Sequence, residues 1–232
     1  MKTIGLLGGM SWESTALYYR IINRTVAERL GGLHSARIVL ASVDFDEVEK
    51  LQRAGRWDEA GERLADEAAR LERAGADFVV VCTNTMHKVA PAIEARIAIP
   101  LLHIADPTAR AIARAGAKVV GLLGTRFTME QEFYRSRLER GHGLTVLVPS
   151  ADERAIVHDV IYEELCRGKV EPASRAKYRG IIANLVASGA EAVILGCTEI
   201  TLLVDASDCA VPLFDTTEIH ARSAALAALG AE

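Results

Sequence analysis

The chain has 232 residues, 50% of them hydrophobic and 25% charged, the profile of an ordinary globular protein rather than a disordered or low-complexity one. Lys and Arg number 27 against 31 Asp and Glu, a formal net charge of −4 with no basic block. This argues against a nucleic-acid or acidic-membrane surface and points to a small-molecule partner. The length suits one large domain or two small lobes, and a core that needs neither disulfide nor metal.

The first ten residues carry one positive charge and a short apolar run broken by glycine, too weak for a signal peptide. No later run approaches the roughly 18 apolar residues of a membrane span. The expected compartment is therefore the cytoplasm, with Cys82, Cys166, Cys197 and Cys209 as free thiols. No C-x-x-C or H-x-x-x-H spacing suggests a metal site.

Short apolar segments are expected as strands at residues 4–7, 38–43, 78–81, 101–104, 119–123, 144–148 and 193–195. Segments 78–81 and 193–195 lack polar alternation, as parallel strands covered on both faces do. Helical patterns lie between them. Residues 14–30 carry Tyr18, Ile22 and Val26 and stop at Gly31-Gly32, and residues 58–74 carry Leu64, Ala68 and Leu71 and stop at Gly75. Strands alternating with helices define an α/β fold with parallel sheets.

The two halves match each other. Gly5-Leu6-Leu7-Gly8 recurs as Gly121-Leu122-Leu123-Gly124, a displacement of 116 positions. The stretch from Gly75-Ala76-Asp77 to Cys82-Thr83 recurs from Gly189-Ala190-Glu191 to Cys197-Thr198, with the cysteines 115 apart. Ile99-Pro100-Leu101-Leu102 recurs as Val211-Pro212-Leu213-Phe214, displaced by 112. Three landmarks in one order and nearly one register argue for two pseudo-symmetric α/β lobes, against the alternative that all α/β units share such short patterns.

Each copy sets a Cys-Thr pair just after its most apolar strand, where parallel sheets place their ligands. Thr83, Asn84 and Thr85 suit the cap of a helix beginning near Met86, and Thr198 the cap of one from Ile200. A helix N-terminus there would bind a carboxylate and lower a thiol's pKa toward a working base near neutral pH. A buried structural thiol is the alternative for either cysteine alone. Recurrence at equivalent positions favours chemistry for Cys82 and Cys197, while Cys166, in a helical pattern, and Cys209, near a loop, are read as structural.

Gly8-Gly9-Met10-Ser11-Trp12-Glu13-Ser14-Thr15, Cys82-Thr83-Asn84-Thr85-Met86-His87 and Gly196-Cys197-Thr198-Glu199 resemble the aspartate/glutamate racemase family, in its aspartate and broad-specificity amino-acid branch. The resemblance spans essentially the whole chain. It implies a cofactor-independent racemase acting on a small amino-acid substrate, with the active site in the cleft between the lobes and one catalytic cysteine, Cys82 or Cys197, from each. It further implies a chain that returns to the first lobe after about Val211, giving lobes of residues 1–98 with 208–232 and residues 99–207, often in a homodimer. Related glutamate racemases typically carry histidine where Glu199 stands. That departure disfavours a cell-wall glutamate racemase, and an ionised Glu199 would raise the Cys197 pKa.

Inverting a Cα centre requires removing a proton from one face and delivering another to the opposite face. Two thiols, one ionised, do this by exchanging roles with the direction of reaction. With each sulfur roughly 3–3.5 Å from the carbon, they would stand about 7 Å apart, too far to form a disulfide. Pyridoxal has no evident lysine context. Backbone N–H groups of residues 83–85 and 198–199, with the hydroxyls of Thr83, Thr85, Thr125 and Thr198, are candidates to hold the α-carboxylate. Met10 and Asn84 are further substrate-binding candidates.

Other readings compete. A nicotinamide enzyme is disfavoured because Gly5-Leu6-Leu7-Gly8-Gly9 does not follow G-x-G-x-x-G, and no P-loop pattern occurs. Paired cysteines also suit a cis–trans isomerase of a dicarboxylate by thiolate addition, and a duplicated cleft also suits a non-catalytic amino-acid-binding module. For side-chain recognition, the resemblance implies a position in the loop following the second strand where aspartate-specific relatives carry a basic residue. Gln52 aligns there, in Lys50-Leu51-Gln52-Arg53, and a one-residue slip brings in Arg53. Lys169 is the remaining basic candidate.

Overall fold

A computed structural model describes residues 1–231. The chain forms two compact units: Met1–Ile104 joined by the C-terminal residues from His220, and Ala105–Ile219.

The first unit runs β1 (Thr3–Gly8), α1 (Trp12–Leu30), β2 (Arg37–Ser42), α2 (Phe45–Arg53), α3 (Trp57–Arg73), β3 (Phe78–Val81), a 3₁₀ turn (Thr85–Val89), α4 (Ala90–Arg96) and β4 (Leu101–Leu102). Its sheet has the order β2-β1-β3-β4, all parallel, with Leu7 opposite Ala41 on one side and Val81 on the other. Alternate residues of β1 and β3 feed two cores, because successive side chains of a strand face opposite ways. Leu7, Val79 and Val81 pack with Leu64, Leu71 and Ile93, whereas Ile4, Leu6, Val80 and Cys82 pack with Tyr18, Ile22 and Ala221. Ser11 caps α1 by accepting the Ser14 N–H, and the helix ends at Gly31 with φ 73°.

The second unit runs α5 (Ala105–Arg114), β5 (Val119–Gly124), α6 (Arg126–Glu130), α7 (Glu132–His142), β6 (Thr145–Leu147), α8 (Ala151–Glu163), a 3₁₀ turn (Leu165–Arg167), α9 (Pro172–Ala187), β7 (Ala192–Gly196), 3₁₀ turns at Thr198–Leu202 and Ala206–Asp208, and β8 (Leu213–Asp215). The last helix, α10 (Thr216–Leu229), begins here and continues into the first unit. The sheet order β6-β5-β7-β8, again all parallel, repeats that of the first unit strand for strand.

Side chains repeat as well as strands. Ahead of β3, Asp77 donates its N–H to the Thr3 carbonyl at 2.8 Å and accepts the Thr3 N–H on its carboxylate at 2.6 Å. Ahead of β7, Glu191 donates its N–H to the Val119 carbonyl at 2.8 Å, and its carboxylate accepts the Lys118 and Val119 N–H groups at 2.6 and 3.1 Å. The repeated Gly-Ala-Asp/Glu motif is thus a device for tying the start of one strand to its neighbour. Gly5 and Gly121 recur for a second reason: a Cβ at either would come within 2.9 Å of Ala76 or 3.0 Å of Leu185.

The units divide elsewhere than the sequence places the lobes. β4 pairs with β3 and so stays in the first unit up to Ile104, and β8 pairs with β7 and so stays in the second up to Ile219. Strand pairing moves both boundaries toward the C-terminus. Strands 101–104 and 144–148 are also shorter than their apolar runs, at Leu101–Leu102 and Thr145–Leu147, because only the residues facing a partner enter the ladder.

Candidate active site

In a sheet of order 2-1-3-4 the connections reverse direction between the two middle strands, and ligands bind outside the carboxyl ends of those strands. In the first unit these are β1 and β3, followed by Gly9-Met10-Ser11 and Cys82-Thr83-Asn84. In the second they are β5 and β7, followed by Thr125 and Cys197-Thr198-Glu199. Both cysteines therefore sit at the switch point of their own sheet.

Cys82 extends β3 by one residue, donating its N–H to the Leu7 carbonyl at 2.9 Å. Its side chain is fully buried against Tyr18, Val80 and Ala221, with Sγ 3.9 Å from the Val80 carbonyl oxygen. Burial pushes this thiol well above the usual range, because the anion would lose its hydration. Asn84 and Thr85 are buried as well, and the Thr83 carbonyl lies 2.7 Å from His87 Nδ1.

Gly124 faces Gly196 across the second sheet. Cys197, the next residue, is partly buried, and its Sγ donates to Glu199 Oε2 at 2.9 Å. Burial first, and the Glu199 carboxylate second, push its thiol well up. Thr198 Oγ1 lies 2.8 Å from Thr217 Oγ1, and Thr217 donates its N–H to Asp215 Oδ1 at 2.8 Å. Thr125 serves as the cap of α6, its hydroxyl accepting the Thr128 N–H at 3.4 Å.

Two expectations are overturned. The segment after Cys82 opens as a 3₁₀ turn that runs directly into α4, the segment after Cys197 is a 3₁₀ turn alone, and neither Asn84 nor Cys197, at the cap positions, makes a side-chain cap bond. Burial outweighs whatever the turn's few peptide dipoles supply, so the expected lowering of the thiol pKa is not met and both thiols shift up.

Gln52 lies inside α2 rather than in a loop, and shares its buried face with Val48 one turn earlier. Nε2 donates to Met86 Sδ at 2.8 Å, and Oε1 is buried without a hydrogen-bond partner. Arg53 faces solvent and pairs with Glu49 at 2.8 Å, so of the two neighbours Gln52 is the inward side chain. Met10 is buried in the same core as Met86 and Leu7. Lys169 stands on an exposed turn after Gly168, its N–H bonded to the Glu164 carbonyl at 3.0 Å. Cys166 is exposed on the 3₁₀ turn after α8, and Cys209 packs against the second unit's core.

Asp215 and Thr217 are functional candidates that the sequence motifs did not single out, and His87, which closes the motif from Cys82, is one to which the motif assigned no role. The repeat held the signal for two of them, since Asp215 and Thr217 come directly after the second copy's Val211-Pro212-Leu213-Phe214 landmark. Among the described residues no group of three or more His, Cys, Asp or Glu is arranged to hold a metal ion, and no helix is long and apolar enough to cross a membrane.

Duplicated four-stranded sheets, each with a thiol at its switch point, define a two-unit α/β protein of paired cysteines. The chain belongs to the Asp/Glu/hydantoin racemase family, whose model matches residues 7–224. A crystal structure from Yersinia pestis, provisionally assigned as an Asp/Glu racemase, is 57% identical and superposes with a TM-score of 0.94 over 99% of this chain and 100% of that one. An aspartate racemase homologue from Pyrococcus horikoshii is 34% identical with a TM-score of 0.86, covering 99% and 100%. A broad-specificity amino-acid racemase from Bacillus subtilis is 25% identical over 169 residues, 72% of this chain and 71% of that protein.

Proposed function

We propose that the protein racemises free amino acids through two cysteines, Cys82 and Cys197, without pyridoxal, metal or nucleotide. The observation that carries this reading is the equivalence of the two thiols, each one residue beyond the third strand of an identically ordered sheet. One thiol serves each face of Cα.

Burial favours the protonated form of both thiols, so the mechanism needs a base to be generated. Glu199 supplies the acceptor: its carboxylate already receives the Cys197 S–H, so moving that proton to Oε2 leaves a thiolate. The α-ammonium of a bound amino acid favours this ionisation, since a nearby positive charge stabilises the anion. The Cys197 thiolate removes the Cα proton while the Cys82 thiol delivers its own to the opposite face, and the reverse reaction exchanges the roles. Negative charge spreading into the α-carboxylate is met by backbone N–H groups after Cys82 and Cys197 and by the Thr83, Thr85 and Thr198 hydroxyls. With Gln52 in place of a cation, the side-chain pocket takes neutral polar as well as acidic amino acids.

The test is a panel of L- and D-amino acids in D₂O without added cofactor, followed by optical rotation and by deuterium at Cα. Turnover should survive dialysis against chelator and treatment with hydroxylamine. Strict dependence on added metal or pyridoxal, or Cα exchange that persists in the Cys82→Ala/Cys197→Ala double variant, would overturn the reading.

A further inference from the structure

His87 lies in the 3₁₀ turn after Cys82, only 1% exposed, with both ring nitrogens committed. Nδ1 lies 2.7 Å from the Thr83 carbonyl oxygen, an acceptor, and Nε2 receives the Ile104 N–H at 3.2 Å. Together these partners admit one form of the ring, neutral with its proton on Nδ1. Two further buried imidazoles pack edge-on against it, His103 at 4.5 Å and His220 at 5.7 Å between centroids. His220 is itself pinned, accepting from the Tyr18 hydroxyl and donating to the Leu102 carbonyl, each at 2.8 Å. The His87 ring therefore has neither room nor hydrogen-bonding freedom to turn.

Thr83 comes directly after Cys82, and in a planar trans peptide its carbonyl and the Asn84 N–H point in opposite directions. Drawing the carbonyl toward His87 aims that N–H away from it. We propose that His87 is a positioning residue, holding the Thr83–Asn84 peptide so that the Asn84 N–H is presented to the α-carboxylate of the amino acid beside Cys82. This rests on the racemase reading. A donor fixed before the substrate arrives needs no reorganisation as charge develops in the transition state.

Two conservative variants separate the two bonds. In His87→Asn the side-chain N–H occupies the place of Nδ1 and keeps the Thr83 contact. In His87→Gln the side-chain oxygen occupies the place of Nε2 and keeps only the Ile104 contact. Each loses one buried hydrogen bond, so their melting temperatures should be comparable. His87→Asn should stay close to wild-type kcat/KM, whereas His87→Gln should fall by about tenfold to a hundredfold, the loss that misaiming one hydrogen bond to a charged group carries. Equal losses in the two variants, losses that follow melting temperature, or a more active Gln variant would overturn the positioning role. A second readout is independent of turnover: ¹⁵N NMR of the wild type should show His87 neutral with the proton on Nδ1, as its two hydrogen-bond partners require. An Nε2-protonated ring in an active enzyme removes the positioning role alone, whereas a wild type that racemises nothing removes the racemase reading and the proposed ligand with it.

Discussion

The Cys197 thiol donates to the Glu199 carboxylate across 2.9 Å, two residues apart at the end of β7. In the proposed mechanism Glu199 is the proton's destination, and after burial it is also the second reason the thiol holds that proton, because a neighbouring negative charge disfavours the thiolate. Glu199→Gln should separate these effects. Without the charge the Cys197 pKa falls, so its alkylation by iodoacetamide at pH 8 should quicken. Without the acceptor racemisation should slow by roughly 10²-fold or more, the range of general-base contributions. If alkylation and turnover move in the same direction, Glu199 is not the proton acceptor.

The four cysteines should sort into two classes. Cys82→Ala and Cys197→Ala should each abolish racemisation, and each should retain slow Cα exchange with only one enantiomer, because one face keeps its acid or base. Identical behaviour of the two variants toward both enantiomers would refute the assignment of one thiol per face. Cys166→Ala, on an exposed turn, should leave turnover unchanged, and so should Cys209→Ala, against the core of the second unit.

Burial of Cys82 has a consequence for stability. Its folded-state pKa lies well above the unfolded value of about 8.5, so the unfolded chain releases this proton first as pH rises. The stabilisation is complete below about pH 8.5 and is lost above it, at up to ~1.4 kcal/mol per pH unit for one thiol. Urea unfolding at pH 8, 9 and 9.5 should show wild-type stability falling with pH, and the Cys82→Ala variant, though less stable at pH 8, should decline more gently. Parallel declines would mean that this thiol ionises equally in both states.

The duplicated parallel fold is legible in the sequence because its signals are local: unbroken apolar strands such as Phe78–Val81, the glycines beside them, and the Gly-Ala-Asp/Glu motif with one job in each copy. Helix lengths ending at Gly31 and Gly75 are legible for the same reason. The conformation after each Cys-Thr pair is not. Thr83-Asn84-Thr85 has cap chemistry, yet the turn it enters is 3₁₀, with the Thr83 carbonyl drawn to His87 and the Ile104 N–H, 17 residues beyond that histidine, bonded to the same ring. The pKa expectation failed similarly, since burial of Cys82 by Tyr18 and Ala221 depends on residues far away in sequence. Lobe boundaries slipped because the partners of β4 and β8 are set by tertiary pairing.

We propose that substrate range turns on Gln52. Its amide reaches Met86 Sδ with one end and leaves Oε1 buried and unpartnered at the other, so a polar group that reaches the helix finds an acceptor already desolvated. An acceptor disfavours a carboxylate unless the amide rotates, and rotation gives up only the weak bond to sulfur. On this proposal the wild type should turn over both neutral and acidic amino acids. Gln52→Arg replaces this adaptable group with a fixed cation suited to a bidentate carboxylate pair. At 4% exposure an unpaired guanidinium is costly, so the free variant should melt below wild type. Aspartate should then raise the variant's melting temperature more than it raises that of wild type, since it alone pairs the charge. Charged hydrogen bonds exceed neutral ones by very roughly 1 kcal/mol, so the ratio of kcat/KM for aspartate over a neutral amino acid should rise several-fold. A ratio unchanged in Gln52→Arg, or a wild type confined to aspartate, would show that specificity is set elsewhere, and Lys169→Ala would then be the next variant to measure.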